Sequence, residues 1–371
     1  MNATRRRGPP GLAAERLRAQ LLSGPPAGSV TGVAGHLLAV QAQDPRGARL
    51  AVRARTSGLH ACDVDRALTA DRSLVVSWLN RGTLHLVRAE DYWWLHDLTT
   101  PQLPTGNARR LAQEGVPPDD AERGVGVIHR ALASGPLTRA QLRDRVAAAG
   151  VRTQGQAMVH LLGLATLRGL IVRGPLAGAE QAFVLVRDWL GAPPAALDRD
   201  VALGLLARRY LAGHGPASDR DLAGWAGLPL REARRGLAGI SSALADRDDG
   251  LASLAGHGEE HPVPPLRLLG AFDPLLLGWS SRELFLAPGG PVITTNGLFR
   301  PFVLAGGRGC AIWRISKGTV VTDPVGPLSA AQRDALAAET ADVERFLAPA
   351  PGPVQAGPVQ ADPVQAGPAP A

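Results

Sequence analysis

The chain has 371 residues, of which 45% are apolar and 20% are charged. This length and composition exclude a single small module, a fibrous repeat and a wholly disordered protein. The 40 basic residues outnumber the 33 acidic residues, and the net charge of +7 favours an acidic polymer such as nucleic acid as a partner. An excess of arginine is also typical of GC-rich coding, so the charge alone does not identify the partner.

No apolar run reaches the roughly 18 residues that a membrane span needs, since even the stretch over residues 159–172 is interrupted by His160 and Arg168. Charged residues stand near the N-terminus where a secretory signal has its apolar core, so we expect a cytoplasmic protein. The two cysteines, Cys62 and Cys310, lie far apart and form no Cys-x-x-Cys motif. This excludes a disulfide framework, a thiolate zinc site and a four-cysteine iron–sulfur cluster.

The first part of the folded chain, residues 11–115, is predicted to form a diverged winged helix. The apolar spacing predicts helices over residues 11–23, 30–43 and 64–69 and a strand over residues 82–87. Tyr92, Trp93 and Trp94 follow in another predicted helix. Aromatic residues of this kind can stack on bases, but they more often fill a core, and we expect core packing here.

A repeated motif divides the middle of the chain. Residues 135–142 read GPLTRAQL, and a similar segment, GPASDRDL, follows downstream. In the two copies, Thr138 and Ser218 can each cap a helix, and a Gln or Asp three positions later can complete a capping box. A second helix follows each after a short turn, which is typical of a helix-turn-helix. We therefore predict a second winged helix over residues 116–192 and a third over residues 193–262.

The wings of these two units are predicted from strand-like runs. In the second unit a long helix is predicted over residues 153–169, and strands over residues 170–172 and 182–186 flank a Gly-Pro-Leu-Ala-Gly turn. The third unit has a reduced wing over residues 246–252. Winged helices usually contact DNA through a recognition helix and a wing, so DNA is the favoured partner, although such units also serve as protein-docking modules.

The last folded part, residues 263–347, is predicted to form a small β-barrel with a closing helix. Short, glycine-rich apolar runs over residues 265–324 predict its strands, and helical spacing predicts the helix over residues 330–347. A Pro-Val-Gln-Ala repeat over residues 348–371 and the basic residues 1–10 are expected to be disordered. The fold class is α+β and mostly helical, with three tandem winged-helix motifs, a small β-barrel and a disordered C-terminal tail.

Two amides are candidates for chemistry. Gln41 and Gln43 lie at the predicted end of the second helix, just before Pro45. An amide can orient water and stabilise a developing charge without changing its protonation state. The alternative is a solvated helix end without a role. A second pair with the same spacing, Gln154 and Gln156, is explained structurally, because a preceding threonine and the second glutamine match a capping box.

Other side chains carry weaker signals. Arg81 and His85 could contact phosphate, but His85 in a strand is as readily a satisfied structural histidine. Asp273 is expected to start a turn by bonding its own backbone, with a place near the bound DNA as the alternative. Residues 257–261 match the pattern His-x-x-Glu-His, which needs both histidines on one helical face to hold zinc. The surrounding glycines and prolines oppose a helix, so we predict a loop and no metal.

Three motifs together identify a resemblance. The segments LLAVQAQDPR at residues 37–46, RGTLHLV at residues 81–87 and AFDPLLLG at residues 271–278 resemble the AlkZ and YcaQ family of DNA glycosylases. The resemblance spans residues 10–345, with the motifs in the order that the family has. It implies three winged helices and a β-barrel in a C-shaped DNA clamp, with catalysis by a Gln-x-Gln pair.

This resemblance implies a reaction and its residues. Gln41 and Gln43 match the catalytic pair, and we expect DNA contacts from Arg46, Arg81, His85 and Arg282. The expected reaction hydrolyses the glycosidic bond of an N7-alkylated purine, including bulky or crosslinked natural-product adducts, and leaves an abasic site. Its setting is base excision repair or resistance to a genotoxin, and no metal or other cofactor is expected.

The chemistry is consistent with two neutral amides. Alkylation at N7 makes the purine cationic, which weakens the glycosidic bond so that no strong general acid is needed. We hypothesise that Gln41 and Gln43 hold the attacking water and stabilise an oxocarbenium-like transition state through their carbonyl dipoles. Strand nicking through a Schiff base usually needs a lysine or N-terminal amine, and the only lysine, Lys317, lies in a predicted turn, which favours hydrolysis alone.

Two other classes of function remain open from the sequence. A winged-helix transcription factor without enzymatic activity would bind a specific operator and leave adducted DNA intact. A docking scaffold would show no salt-dependent affinity for duplex DNA, because that dependence comes from counterions released when arginines neutralise phosphates. We expect a monomer whose partner is double-stranded DNA that carries alkylated purines.

Overall fold

The computed structural model describes residues 11–178, 180–256, 265–294, 296–323 and 328–349. The predicted disordered N-terminus lies outside these ranges, as does the predicted tail from residue 350 onward. The histidine-containing pattern predicted to be a loop also lies outside them. No described helix is long and apolar enough to cross a membrane.

The first unit has helices around a short β-sheet. Its helices are α1 (Leu12–Ala19), α2 (Val30–Leu37), α3 (Pro45–Arg53), α4 (Ala61–Thr69), α5 (Tyr92–Thr99) and α6 (Leu103–Gln113), and its strands are β1 (Val40–Gln41), β2 (Leu74–Leu79) and β3 (Thr83–Arg88). The predicted helix over residues 30–43 is wrong beyond Leu37. Leu38 has a φ of 65°, which ends the helix, and the chain continues as β1 and pairs with β3.

The aromatic run after β3 packs as predicted. Trp93 and Trp94 are partly buried against the main hydrophobic core, and Tyr92 is fully buried in it. Trp94 also donates from its indole nitrogen to Asp91, at 3.1 Å. These aromatic rings therefore stabilise the first unit from within.

The second and third units contain the repeated motif. Their elements are α7 (Pro118–Leu132), α8 (Arg139–Ala148), α9 (Ala157–Leu167), β4 (Ile171–Ala177), β5 (Glu180–Leu185), α10 (Val186–Leu190), α11 (Arg199–His214), α12 (Asp219–Ala226) and α13 (Leu230–Gly239). The capping boxes at Thr138 and Ser218 are confirmed. The capping box predicted at Thr153 is wrong, because α9 begins at Ala157 and the Glu114 carboxylate accepts from the preceding N–H instead.

The long helix predicted over residues 153–169 of the second unit forms as α9 and is mostly buried. Most of α9 lies in a hydrophobic cluster with α7 and α8, including Met158, Leu161 and Leu162. A helix buried in this way cannot present its side chains to the major groove of DNA. We therefore do not expect the second unit to recognise a DNA base sequence through this helix.

The strands of the first two units form one sheet. The strand order is β1-β3-β2-β4-β5, and all neighbouring strands are antiparallel. The link between the units is the pairing of β2 with β4, at Val76 and Arg173. The sequence boundary at residue 115 therefore separates two segments whose strands share backbone hydrogen bonds. In the third unit, the isolated bridge of Leu244 with Leu254 encloses the segment predicted to form a reduced wing.

The last part of the chain is a sheet closed by a helix. Its elements are β6 (Arg267–Leu269), β7 (Phe302–Ala305), β8 (Arg308–Ser316), β9 (Thr319–Thr322) and α14 (Ala330–Leu347). The predicted closing helix is confirmed over its full range. Among the described residues the four strands pair in the order β6-β7-β8-β9 and leave the two outer strands unpaired with each other, so the sheet is open rather than a closed barrel.

A buried ion pair connects the first unit to this last part. Arg55 donates to both carboxylate oxygens of Asp273, at 2.8 and 3.0 Å, and both side chains are fully buried. Asp273 also accepts from the N–H of Leu275 at 2.9 Å, which confirms its predicted turn. Nearby, a Cβ added to Gly47 would lie 2.3 Å from the carbonyl oxygen of Ala271. These contacts fix the segment around residue 272 against α3.

Candidate active site

A cavity of about 330 Å³ brings together four of the six predicted site residues. The four are Gln41, Gln43, Arg81 and Arg282. The first unit contributes the glutamines and Arg81, whereas the segment that follows Phe272 contributes Arg282. Aromatic side chains complete the wall, and they are Trp225, Phe272, Trp279 and Phe299. Residues separated by more than 200 positions in the chain therefore meet at one site.

The two glutamines lie at the end of a strand, not at the end of a helix. Gln41 is the last residue of β1, and Asp44 caps the following helix α3 by accepting from the N–H of Gly47. Side chains two positions apart in an extended chain point to the same side, and Nε2 of Gln41 donates to Oε1 of Gln43 at 2.6 Å. Gln41 is 7% exposed, whereas Gln43 is exposed. One side chain of the pair is therefore packed against the protein, and the other is accessible to solvent.

Arg81 determines which way the Gln41 amide points. Its Nη2 lies 3.4 Å from Oε1 of Gln41, and its Nη1 donates to the carbonyl oxygen of Trp225 at 2.7 Å. A guanidinium has only donors, so the oxygen of Gln41 has to face Arg81 and the NH₂ group has to face Gln43. Arg81 therefore connects the third unit to the glutamine pair.

Arg282 is the second cation at the cavity. It donates from Nε to the carbonyl oxygen of Leu276 at 2.8 Å, and its guanidinium lies 5.2 Å from the centre of the Phe299 ring. Burial lowers the pKa of Arg282, and burial together with the charge of Arg282 lowers the pKa of Arg81. Within the described ranges neither arginine forms an ion pair. Neither guanidinium is therefore neutralised by a carboxylate within those ranges, and Arg282 can receive an anion such as a DNA phosphate.

His85 and Arg46 do not line the cavity. His85 is 1% exposed, pairs with Gln41 across the sheet, and contacts the carbonyl oxygen of Thr83 through Nδ1 at 2.9 Å. Burial, with a smaller contribution from the Arg81 charge, lowers the pKa of His85 to about 3. An uncharged, buried imidazole cannot pair with phosphate, so the expected DNA contact by His85 is not supported. Arg46 is exposed in the first turn of α3.

Asp221 lines the cavity, although sequence reasoning assigned it only a capping role. Its Oδ1 accepts from the N–H of Ser280 at 2.9 Å, and its Oδ2 accepts from the N–H of Ser218 at 3.0 Å. Burial alone would raise the pKa of Asp221, but these hydrogen bonds lower it below the usual value. Arg16 lies 3.7 Å away. Because the capping box explained this residue fully, the sequence held no further signal.

A metal site was not expected from the sequence. In the part of the chain that the structure describes, no three His, Cys, Asp or Glu side chains gather closely enough to hold a metal ion. The cavity presents amides, guanidiniums, aromatic rings, one carboxylate and the hydroxyl side chains of Thr83 and Ser280 as its reactive or binding groups.

A comparison with known families decides the class of protein. The family model described as DNA glycosylase AlkZ-like matches residues 34–346, which include the glutamine pair, both cavity arginines and Phe272. The chain belongs to the AlkZ-like DNA glycosylase family. Its members are DNA glycosylases, which are hydrolases, so the resemblance inferred from the three motifs is confirmed.

Individual AlkZ-like proteins agree with this assignment. The interstrand DNA cross-link repair glycosylase of Streptomyces sahachiroi is 29% identical over 331 residues, which cover 83% of this chain and 88% of that protein. The solved structure of the Streptomyces sahachiroi DNA glycosylase AlkZ matches with a TM-score of 0.73 and 28% identity, covering 90% of this chain and 95% of that one. These AlkZ-like matches set aside a transcription factor and a docking scaffold.

Proposed function

We propose that this DNA glycosylase hydrolyses the bond between deoxyribose and an N7-alkylated purine in duplex DNA and leaves an abasic site. Its substrates include bulky and crosslinked adducts, and it serves base excision repair or resistance to a DNA-alkylating natural product. The observation that carries the proposal is the hydrogen-bonded Gln41 and Gln43 pair at the open side of a cavity flanked by two guanidiniums.

The cavity suits a leaving group that is already activated. The buried His85 is uncharged near neutral pH, and Asp221 is ionised there, so neither can supply a proton to the base. A purine alkylated at N7 needs no such proton, because its positive charge receives the electrons of the breaking bond. This match between an acid-free cavity and a cationic purine favours alkylated over ordinary purines.

The proposed reaction balances with water alone. The bond from C1′ to the purine nitrogen breaks, its electron pair goes to the purine, and the purine leaves uncharged. Water forms the new bond to C1′ and its proton passes to solvent. Oε1 of Gln43 accepts one hydrogen bond from Gln41 and keeps a second lone pair, with which it can accept a hydrogen bond from this water. The carbonyl dipoles of both amides stabilise the oxocarbenium-like sugar.

The wider fold supplies the DNA contacts in this proposal. The three units and the sheet form a C-shaped clamp, in which Arg282 at the cavity and the exposed Arg46 contact phosphates. Arg81 contributes mainly by holding Gln41, as its hydrogen bonds indicate. The enzyme works as a cytoplasmic monomer and without a cofactor.

We further propose that the enzyme removes bases without nicking the strand. Lys317 lies in the turn between β8 and β9, as predicted, and it does not line the cavity. A Schiff-base reaction at the described cavity has no lysine available. Abasic sites should therefore accumulate intact until alkali cleaves them.

A base-release assay tests this function. Duplexes that contain one N7-methylguanine, or a crosslink between the N7 atoms of two guanines, are incubated with protein and then heated in alkali. We expect strand cleavage only after alkali, release of the two crosslinked strands from each other, and loss of both in a Gln41→Ala, Gln43→Ala double variant.

The chain offers a matched control for the glutamine pair. Gln154 and Gln156 have the same spacing, and neither lines the cavity. A Gln154→Ala, Gln156→Ala double variant should keep the activity of the wild-type protein. The proposed function fails if no alkali-labile site forms with either substrate, or if the Gln41→Ala, Gln43→Ala variant remains active.

A further inference from the structure

Phe272 is held in a backbone conformation that non-glycine residues rarely adopt. Its φ is 57°, in the left-handed region that is unfavourable for a residue with a Cβ. The residues on both sides impose this conformation, because Asp273 is fixed by Arg55 and the carbonyl of Ala271 packs against Gly47. Backbone strain of this kind is concentrated at functional sites.

The strained conformation places an aromatic ring at the cavity. Both neighbours of Phe272 in the chain are buried, whereas Phe272 itself is half-buried and lines the cavity with the two glutamines. Its ring centre lies 5.4 Å from that of Phe299, with an angle of 48° between the ring planes. The guanidinium of Arg282 lies over the ring of Phe299, but within the described residues no cation lies over the ring of Phe272.

The two guanidiniums of this cavity repel a cationic purine. Arg81 and Arg282 carry the same sign of charge as the purine, and within the described residues no carboxylate forms an ion pair with either of them. The carboxylate of Asp221 is already bonded to two N–H groups and lies 3.7 Å from Arg16. The face of an aromatic ring attracts a cation through its quadrupole and needs no counterion. Phe272 can supply this attraction.

We propose that Phe272 is a specificity-determining residue whose ring lies against the cationic purine and distinguishes it from a neutral purine of the same shape. The inference rests on the proposed function and deepens it, since it assigns recognition of the positive charge to one side chain. The charge passes from the purine to the sugar as the bond breaks. Phe272 therefore strengthens binding of the substrate and does not accelerate the chemical step.

Two duplexes that differ only in charge test this role. One contains N7-methylguanine on a 2′-fluorinated sugar, which resists hydrolysis, and the other contains neutral 7-methyl-7-deazaguanine on the same sugar. We expect the wild-type protein to bind the charged duplex roughly 3- to 30-fold more tightly. Phe272→Leu, which keeps an apolar side chain, should lose this preference and keep its Kd for the neutral duplex.

Further variants separate the role of the ring from a structural one. Phe299→Leu is the matched control and should keep the preference, because Arg282 already covers that ring. Fluorinated phenylalanine at position 272 keeps the shape but weakens the quadrupole, so it should also lower the preference. With the hydrolysable substrate, Phe272→Leu should raise KM and should not lower kcat, because the attraction to the ring is lost as the charge moves to the sugar.

The outcomes separate this inference from the proposed function. Binding of the two modified duplexes is measured without turnover. Equal affinity of the wild-type protein for both duplexes, or full preference in Phe272→Leu, overturns the role of Phe272. If Phe272→Leu and Phe299→Leu lose the preference for the charged duplex equally, recognition of the charge cannot be assigned to Phe272. Lack of base release from ordinary N7-methylguanine overturns the proposed function instead.

Discussion

Arg81 and Gln41 meet at 3.4 Å between Nη2 and Oε1, and this contact fixes the orientation of an amide that also contacts Gln43. The same guanidinium donates to the carbonyl of Trp225 in the third unit. The geometry of the site therefore depends on an arginine that reaches across two units, although a phosphate contact was the role that the sequence suggested for it.

Arg81→Lys tests this positioning. Lysine keeps the positive charge but has no planar fork, so it cannot make both contacts in the same geometry. We expect the single-turnover rate on N7-methylguanine DNA to fall roughly 10- to 100-fold, with Kd for the duplex changed by less than about twofold. A phosphate contact would give the opposite pattern, with the rate at saturation preserved and the Kd raised.

Arg282→Gln tests the contact with phosphate. Glutamine can still donate to the carbonyl of Leu276, but it carries no charge. We expect weaker binding and a salt slope, log Kd against log salt concentration, that decreases by about 0.9 because one fewer counterion is released. Arg314→Ala is the control, since Arg314 is exposed on β8 and pairs with Asp323. An unchanged slope in Arg282→Gln would exclude a phosphate contact there.

The rate should be nearly independent of pH between about 5 and 8.5. The pKa of His85 is about 3, and the pKa of Asp221 lies below its usual value of about 4, so neither group titrates in this range. Single-turnover rates at saturating protein across the range are the measurement. A bell-shaped profile with a limb inside it would indicate a general acid or base that the described cavity does not contain.

The stability of the folded protein sets the lowest pH at which these rates can be measured. Burial lowers the pKa of both His85 and His214 to about 3, whereas an unfolded histidine titrates near 6.5. The unfolded chain therefore binds more protons below pH 6.5, so the free energy of unfolding decreases as the pH falls from about 6.5 toward 3. Urea unfolding at several pH values shows where the rate measurements remain valid.

Asp273→Ala should destabilise the protein severely. The substitution leaves the fully buried Arg55 without its carboxylate partner, which costs about 3–5 kcal/mol in the free energy of unfolding. Asp144→Ala removes the exposed pair with Arg143 and should cost less than about 1 kcal/mol. Urea unfolding of both variants gives the comparison. Similar losses in the two would show that the buried pair has no special importance.

The sequence predicted local features better than long-range contacts. The capping residues Thr138 and Ser218 and the helix over residues 330–347 follow from spacing and side-chain chemistry within a few positions. The end of α2 could not be predicted, because residues 38–43 read as a continuous helical pattern. Pairing with β3, which the local pattern does not encode, makes part of this segment a strand.

The candidate site shows the same difference between local features, which the sequence predicts, and long-range contacts, which it does not. The motifs pointed to Gln41, Gln43 and Arg81, and the structure brings these residues together in one cavity. The roles of Asp221 and Phe272 depend on which distant segments meet, so no local pattern could assign them to the cavity. His85 was left open between two roles by its strand position, and only the depth of its burial favours the structural role.

The shared sheet of the first two units has a consequence for any attempt to divide the chain. Cutting after residue 115 would remove β4 and leave the edge of β2 without its partner strand. An exposed strand edge promotes aggregation. The glutamine pair and its supporting strands are therefore not a portable module, and a shortened enzyme has to retain the second unit even if that unit never contacts the damaged base.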